Sequence, residues 1–382
     1  LLGAPLLVII SLLVHPGGGA PPSTEGHIPV AVVEGVAEGA SHERASGPDL
    51  VWAFETRGRI TGKAASGPQG VLYFGSHDGH LYAIDDDGHL RWKRALGGIP
   101  FGSPVVDAAG VVYVASDPDR LRALRPTGEV VWDRTLGGPV DHGLALAPGN
   151  ELRVAAGGDL LALERSGKLR WKRPLGARSF GPVAVDQQGT TYLGSQDDHV
   201  YAVDMTGTLR WRVRMGGDVD SGVLLTEQEG SSSPPMLFAA SDTGRVAALS
   251  TGGQVLWARD LGAALRSPLA LSGDGQSVLA LSQGPGSALH NLDAQTGKEQ
   301  WVVRFPFEDS YADAVAPGPL VDPEGRVFIG TLDGVLRGFS STGKRLWVHP
   351  TLGRPEGLPA LSDGGLLLWG TSAHRLLAFT SF

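Results

Sequence analysis

Few residues in this chain could do chemistry, and most fail the spacing that their chemistry needs. The absence of cysteine among 382 residues removes disulfides, thiolate nucleophiles, Cys-ligated zinc and iron–sulfur clusters. Gly338-Phe339-Ser340-Ser341-Thr342-Gly343-Lys344 has the outline of a phosphate-binding loop. Arg345 stands where a Ser or Thr would meet Mg²⁺, and no helical pattern follows. Asp85-Asp86-Asp87-Gly88 offers carboxylates for calcium, but EF-hand ligands alternate, with Gly sixth and Glu twelfth. The same slot holds Pro126-Thr127-Gly128 and Ser166-Gly167 elsewhere, so it reads as a turn. His77, His80 and His89 cluster near it without metal-ligand spacing and read as turn or exposed strand residues. Neither H-E-x-x-H nor G-x-S-x-G occurs. The sequence thus predicts no catalytic residue, no metal site and no cofactor.

Recognition chemistry is better represented. It is found by counting from a recurring tryptophan, at positions 52, 92, 132, 171, 211, 257, 301 and 347. Nine residues past these stand Thr61, Phe101, Asp141, Phe180, Asp220, Arg266 and Glu356; seven past stand Arg59, Ile99, Pro139, Arg178, Asp218, Ala264 and Arg354. The segment after Trp301 is longer and carries Glu308, Asp309, Tyr311 and Asp313. Charge and size change from copy to copy at these positions, so repeated packing does not dictate them. Loops held by a rigid scaffold are where binding residues concentrate. Aromatic side chains and Arg are the types that dominate interface energy. Phe101, Asp141, Arg178, Phe180, Asp218, Asp220, Arg266, Tyr311, Asp313, Arg354 and Glu356 are therefore the expected partner- or ligand-binding set.

The tryptophan spacings are 40, 40, 39, 40, 46, 44 and 46 residues. From Trp92 onward each closes a G-x-x-x-W phrase: GHLRW, GEVVW, GKLRW, GTLRW, GQVLW, GKEQW and GKRLW. Upstream lie two short strand-like runs around a polar turn, as in VLYFGS (71–76) and HLYAID (80–85). Such alternation with Asp-Gly-like punctuation marks a hairpin. A further short apolar run with Pro precedes them, as in SPVVD (103–107) and GPVAVD (181–186). Each period thus holds four short antiparallel strands, which is one blade of a propeller. The last unit, ending at RLLAFTSF (375–382), lacks a Trp strand, while DLVWAF (49–54) supplies a spare one at the start. The expected fold is all-β: an eight-bladed β-propeller over 49–382, with four-stranded blades, closed by pairing the N-terminal Trp strand with the C-terminal blade. Closure leaves no long unpaired sheet edge. The tryptophans are expected to pack blade against blade, each contributing at most roughly 4–6 kcal/mol of gross burial.

Ahead of the propeller, LLGAPLLVIISLLV (1–14) has the length of a signal-peptide apolar region and is too short to span a membrane. Residues 1–20 read as a signal peptide or anchor, and the Gly-, Pro-, Ser- and Glu-rich stretch 21–48 as a flexible linker. The net charge of −8 and the lack of a basic stripe exclude nucleic acid as the expected partner.

The phrase Y-x-G-S-x-D-G-x-L-Y-A-x-D-x-x-G-x-x-x-W, read from 73–92 and recurring in phase, resembles the repeat of the PQQ-type (pyrrolo-quinoline quinone) propeller family. Within that family, the size and the apolar N-terminus are most similar to the outer-membrane assembly lipoproteins of the Bam complex. That resemblance implies a periplasmic eight-bladed scaffold without enzymatic activity. The Cys that such lipoproteins acylate has no counterpart here, and no loop motif matches their partner-binding residues. The quinoprotein alcohol dehydrogenases, another branch, use a vicinal disulfide over the quinone, which a chain without Cys cannot form. A shared repeat does not carry a shared cofactor. The expected role is a protein-interaction scaffold of the cell envelope with a protein partner and no membrane insertion of the propeller. A small-ligand or saccharide sensor using the central funnel is the alternative, and a quinoprotein-type enzyme a more distant one.

Overall fold

The computed structural model describes residues 26–28, 47–226, 234–284, 286–305, 317–331 and 333–380. Eight antiparallel sheets follow one another around a propeller ring. In the second blade the strands run Val105–Val106, Val112–Ser116, Arg120–Leu124 and Val130–Thr135, from the axis outward. The two middle strands are the core: Val71–Ser76, Val112–Ser116 and Met236–Ala240 are buried along their whole length. The outer strands are mostly exposed, as in Leu90–Ala95.

A ladder of three side chains explains the repeated phrase. Tyr73, Ala83 and Trp92 are in register across three adjacent strands. Tyr113, Ala123 and Trp132 repeat the ladder, as do Tyr192, Ala202 and Trp211. The small middle residue lets the two rings approach, with centroids 5.8, 6.0 and 5.9 Å apart. In the third blade Arg153 takes the aromatic position and lays its guanidinium over Trp171 at 5.3 Å, keeping the ladder by a cation–π contact.

The glycine of each G-x-x-x-W phrase belongs to the preceding blade's tryptophan. Gly88 lies on Trp52, Gly128 on Trp92 and Gly207 on Trp171, each at positive φ and close enough that a Cβ would meet the ring at 2.8 Å. In the same turns the indole N–H donates to a backbone carbonyl: Trp52 to Asp86, Trp92 to Pro126, Trp171 to Met205 and Trp301 to Ser341, at 2.7–2.9 Å. Blade-to-blade packing is thus the tryptophan's role. Of the eight repeat tryptophans, Trp52, Trp257 and Trp347 are buried; the other five are half-buried on outer strands, so their burial falls short of the upper bound.

The ring closes through the N-terminal strand. Leu50–Glu55 pairs antiparallel with Arg375–Thr380, with Trp52 opposite Ala378, and completes the last blade. Within the stretch read as a linker, Gly26–Ile28 forms a further strand on the outer edge of Leu50–Glu55.

Candidate functional site

Because strands alternate in direction, the loops after each tryptophan strand and the hairpins between the two core strands emerge on one face of the disc. Backbone hydrogen bonds tie the two together in the seven blades where both are among the described residues. The carbonyl seven residues past the tryptophan accepts the hairpin N–H: Arg59 from His77, Ile99 from Asp117, Pro139 from Gly157, Arg178 from Gln196, Asp218 from Asp242, Ala264 from Gln283 and Arg354 from Ser372, at 2.8–3.0 Å. The backbone there is fixed by the repeat, while the side chains are free to differ.

Three expected residues meet in one groove. Phe101, Asp141 and Arg178 line a depression of about 690 Å³ with Gly97, Ile99 and Pro139, across the second, third and fourth blades. Arg178 donates to Asp141 through two guanidinium nitrogens, Nε to Oδ2 at 2.9 Å and Nη2 to Oδ1 at 2.8 Å. Its guanidinium also lies 4.3 Å from the ring of Phe180. Phe101 meets His77 edge to face at 4.8 Å. Burial raises the Asp141 carboxyl above its usual range despite Arg178, and Asp117 adds to the rise.

The other expected residues form separate groups. Asp218, Asp220 and Arg266 stand together at the fifth and sixth blades. Burial first, then Asp242 and Asp198, raises Asp218; burial and then Asp218 raise Asp220, which accepts a 3.3 Å bond from Gln196 Nε2. Arg266 lies 3.8 Å from Asp242. At the eighth blade Arg354 is exposed, and Glu356 pairs across the seam with Arg59 at 3.5 Å. Tyr311 and Asp313, with Glu308 and Asp309, lie outside the described residues.

Counting to nine stopped short of the axial channel. A cavity of about 390 Å³ is lined there by Lys63, Ser103, His142 and a collar of prolines including Pro182, Pro268 and Pro359. Lys63, eleven past Trp52, is the one charged side chain of that lining among the described residues. Protein walls around it hold its ammonium below the usual lysine range. Continuing the count by two residues would have found it.

His142 is pushed down to about 4 by burial, and its Nδ1 is enclosed without a hydrogen-bond partner. His77 is also lowered to about 4, by burial and then by Arg59, against Asp78. Both imidazoles are therefore neutral in the folded state and titrate near 6.5 when unfolded. Their stabilising contribution is complete above about pH 6.5 and is lost as the pH falls through about 4. Asp141 and Asp220, raised by burial, act in the opposite sense. Denaturant midpoints should thus begin to fall below about pH 6.5, and a His77→Gln, His142→Gln variant should show a flatter limb between 6.5 and 4. An unchanged slope in the variant would assign the acid limb to other groups.

Elsewhere the chemistry dissolves into structure. His77 and His80 sit at the core hairpin, whereas His89 lies in the turn at the other end of His80–Ile84. There Asp85, Asp87 and His89 bring ligating atoms within 4.8 Å, but Asp85 already accepts the His89 N–H at 2.8 Å, as Asp204 does for Thr208. Gly343 and Lys344 belong to a strand–turn–strand, with Gly343 against Trp301. Ser282, His290 and Glu299 are linked as a hydrolase triad would be, at 3.1 and 2.7 Å. Ser282 is only 1% exposed, and its hydroxyl closes its own hairpin on Ala288. A substrate carbonyl cannot reach it there.

The family model described as outer membrane protein assembly factor BamB matches residues 40–125, 118–229 and 242–381. BamB from Moraxella catarrhalis is similar in fold at a TM-score of 0.72 and 17% identity, over 88% of this chain and 100% of that one. The computationally designed Ika8 protein is similar at a TM-score of 0.69 and 14% identity, with the same coverage. No curated protein matches significantly. Among the described residues, no helix is long and apolar enough to cross a membrane.

Proposed function

The chain belongs to the family of the outer membrane protein assembly factor BamB, and from that premise we propose that it is a non-enzymatic interaction scaffold of the cell envelope. Its partner is a protein engaged in outer-membrane protein assembly. The propeller lies on the periplasmic side, outside the bilayer, with residues 1–20 directing export or anchoring it. The observation that carries this reading is the groove on the loop face. Phe101, Ile99 and Pro139 give it apolar surface, and the Arg178–Asp141 fork over Phe180 gives it a rigid polar edge. An aromatic anchor beside an immobilised Arg is the arrangement that concentrates binding energy.

A Phe101→Ala, Arg178→Ala variant should lose capture of its envelope partner in a pull-down by tenfold or more. Its stability should change less than that of a core variant, because the groove side chains keep solvent contact. Glu129→Ala, Lys168→Ala and Lys344→Ala together, on the opposite face, should leave capture intact. If this control abolishes capture while the groove variant binds normally, the functional face lies on the other side of the disc.

The small-ligand reading draws on one observation, the ammonium of Lys63, the one charged group among the described residues that line the axial channel. It favours an anionic ligand. Native mass spectrometry of the purified protein separates the two readings, since a scaffold co-purifies with a protein and a sensor with a small molecule.

A further inference from the structure

The sixth blade breaks the ladder. In seven blades the middle position is a small apolar residue, Ala83, Ala123, Ala162, Ala202, Ala248, Gly338 or Ala378. In the sixth it is Asn291, opposite Leu279 on one side and Trp301 on the other. Leu279 stands where most blades place an aromatic ring. The eighth blade also has a leucine there, Leu368, but keeps Ala378 beside it. Only the sixth combines a shortened apolar residue with a polar neighbour.

Space opens where the ring is missing. Leu279, Asn291, Ser277 and Val327 line a cavity of about 370 Å³ between the sixth and seventh blades. That lies at the lower end of the range for small-molecule sites. Its mouth is formed by Asp274, Glu324 and Ser341, from turns on the face opposite the groove described above.

The chemistry of the lining is one-sided. Asn291 is 4% exposed, yet its Oδ1 is enclosed with no hydrogen-bond partner. A buried acceptor left unpaired is costly, so such a group calls for a donor. Asp274 uses Oδ1 to accept from Ser272 Oγ and the Gln276 N–H. Those bonds hold its carboxyl below the usual range, so it is ionised at neutral pH. Glu324 shares its charge with Arg326 at 3.1 Å. Among the described residues of the lining there is no Lys or Arg. We propose that this cavity binds a primary ammonium group on an aliphatic stem, with the charge between the Asp274 and Glu324 carboxylates and an N–H donated to Asn291 Oδ1. The stem would lie against Leu279 and Val327. The group could belong to a free diamine or to a lysine side chain of another protein.

Calorimetric titration with 1,5-diaminopentane and with Nα-acetyl-lysine methylamide tests this. Saturable binding of either probe supports the site, and the tighter one identifies the source. A Leu279→Tyr, Asn291→Ala variant restores the ladder of the other blades and fills the cavity. It should melt no lower than the parent and bind the amine at least tenfold more weakly. An Asp274→Asn, Glu324→Gln variant changes only exposed groups and should weaken binding at least fivefold whether or not the first variant folds. The proposal fails if neither amine binds the parent at millimolar concentration, if the carboxamide variant binds as tightly as the parent, or if myo-inositol binds and the amines do not.

Discussion

A chain lacking residues 49–56 is expected to unfold or to self-associate. Leu50–Glu55 is the outer Trp strand of the last blade, contributed from the far end of the sequence. Trp52 is 1% exposed and Phe54 is completely buried, the latter edge to face with Phe74 and Tyr82 of the first blade. Each large-to-small change of such a residue costs about 3–5 kcal/mol. The two together rival the whole stability of a typical domain, about 5–15 kcal/mol. Beyond packing, the strand carries the seam: Thr56 N–H donates to His374 O at 2.8 Å, Thr380 N–H to Asp49 O at 3.0 Å, and Arg375 Nε to Glu55 at 2.8 Å. Its removal exposes Arg375–Thr380 as a free edge, which another copy can pair with. Circular dichroism melts and size-exclusion chromatography should therefore show a lost transition or higher-order species. Deleting residues 1–25 should spare both. If the 49–56 deletion melts as a monomer like the parent, the ring does not depend on this strand.

The ring was legible in the sequence because its parts repeat. Eight tryptophans at near-constant spacing and a Trp strand at 49–54 ahead of the first complete blade were enough to indicate blade number and closure. Even the copies least like the phrase, at 112–125 and 153–164, form complete core hairpins, since strand packing needs only buried apolar positions and a turn. Binding surface is harder to read. Side chains that meet in the groove come from separate blades, so Phe101, Asp141 and Arg178 could be identified one by one but not as neighbours. The pairing of Arg178 with Asp141 follows from the pitch between adjacent blades, which spacing along one chain does not contain. Lys63 was passed over because the count ended two residues early. Asn291 was hidden differently: it sits in HNLD, within the sixth copy of the repeat, and its meaning appears only when strand register aligns it with the alanines of the other blades. Departures from a repeat become informative once the position they occupy has a known packing role.

That packing role can be measured at the glycine of the repeat. Gly207 and Gly216 have nearly the same φ, 86° and 89°. Their surroundings differ. A Cβ on Gly207 would lie 2.8 Å from the Trp171 ring, whereas one on Gly216 would meet nothing within 4 Å. Gly216→Ala should cost about 1–2 kcal/mol, the left-handed backbone term for a residue with a Cβ. Gly207→Ala bears the same term and must also displace the indole. That overpacks the blade interface, at about 1–3 kcal/mol. It also strains the 2.8 Å bond from Trp171 Nε1 to Met205 O, worth about 1 kcal/mol. Gly207→Ala should therefore be about 2–4 kcal/mol the more destabilising of the two in guanidinium titrations. Its native tryptophan emission should shift to the red, because the indole of Trp171 loses its cover. Gly216→Ala should leave the emission unchanged. Equal midpoint shifts for the two variants would mean that the repeat keeps glycine for its backbone freedom alone, and that the docking of each tryptophan on the next blade's turn contributes little to holding the ring.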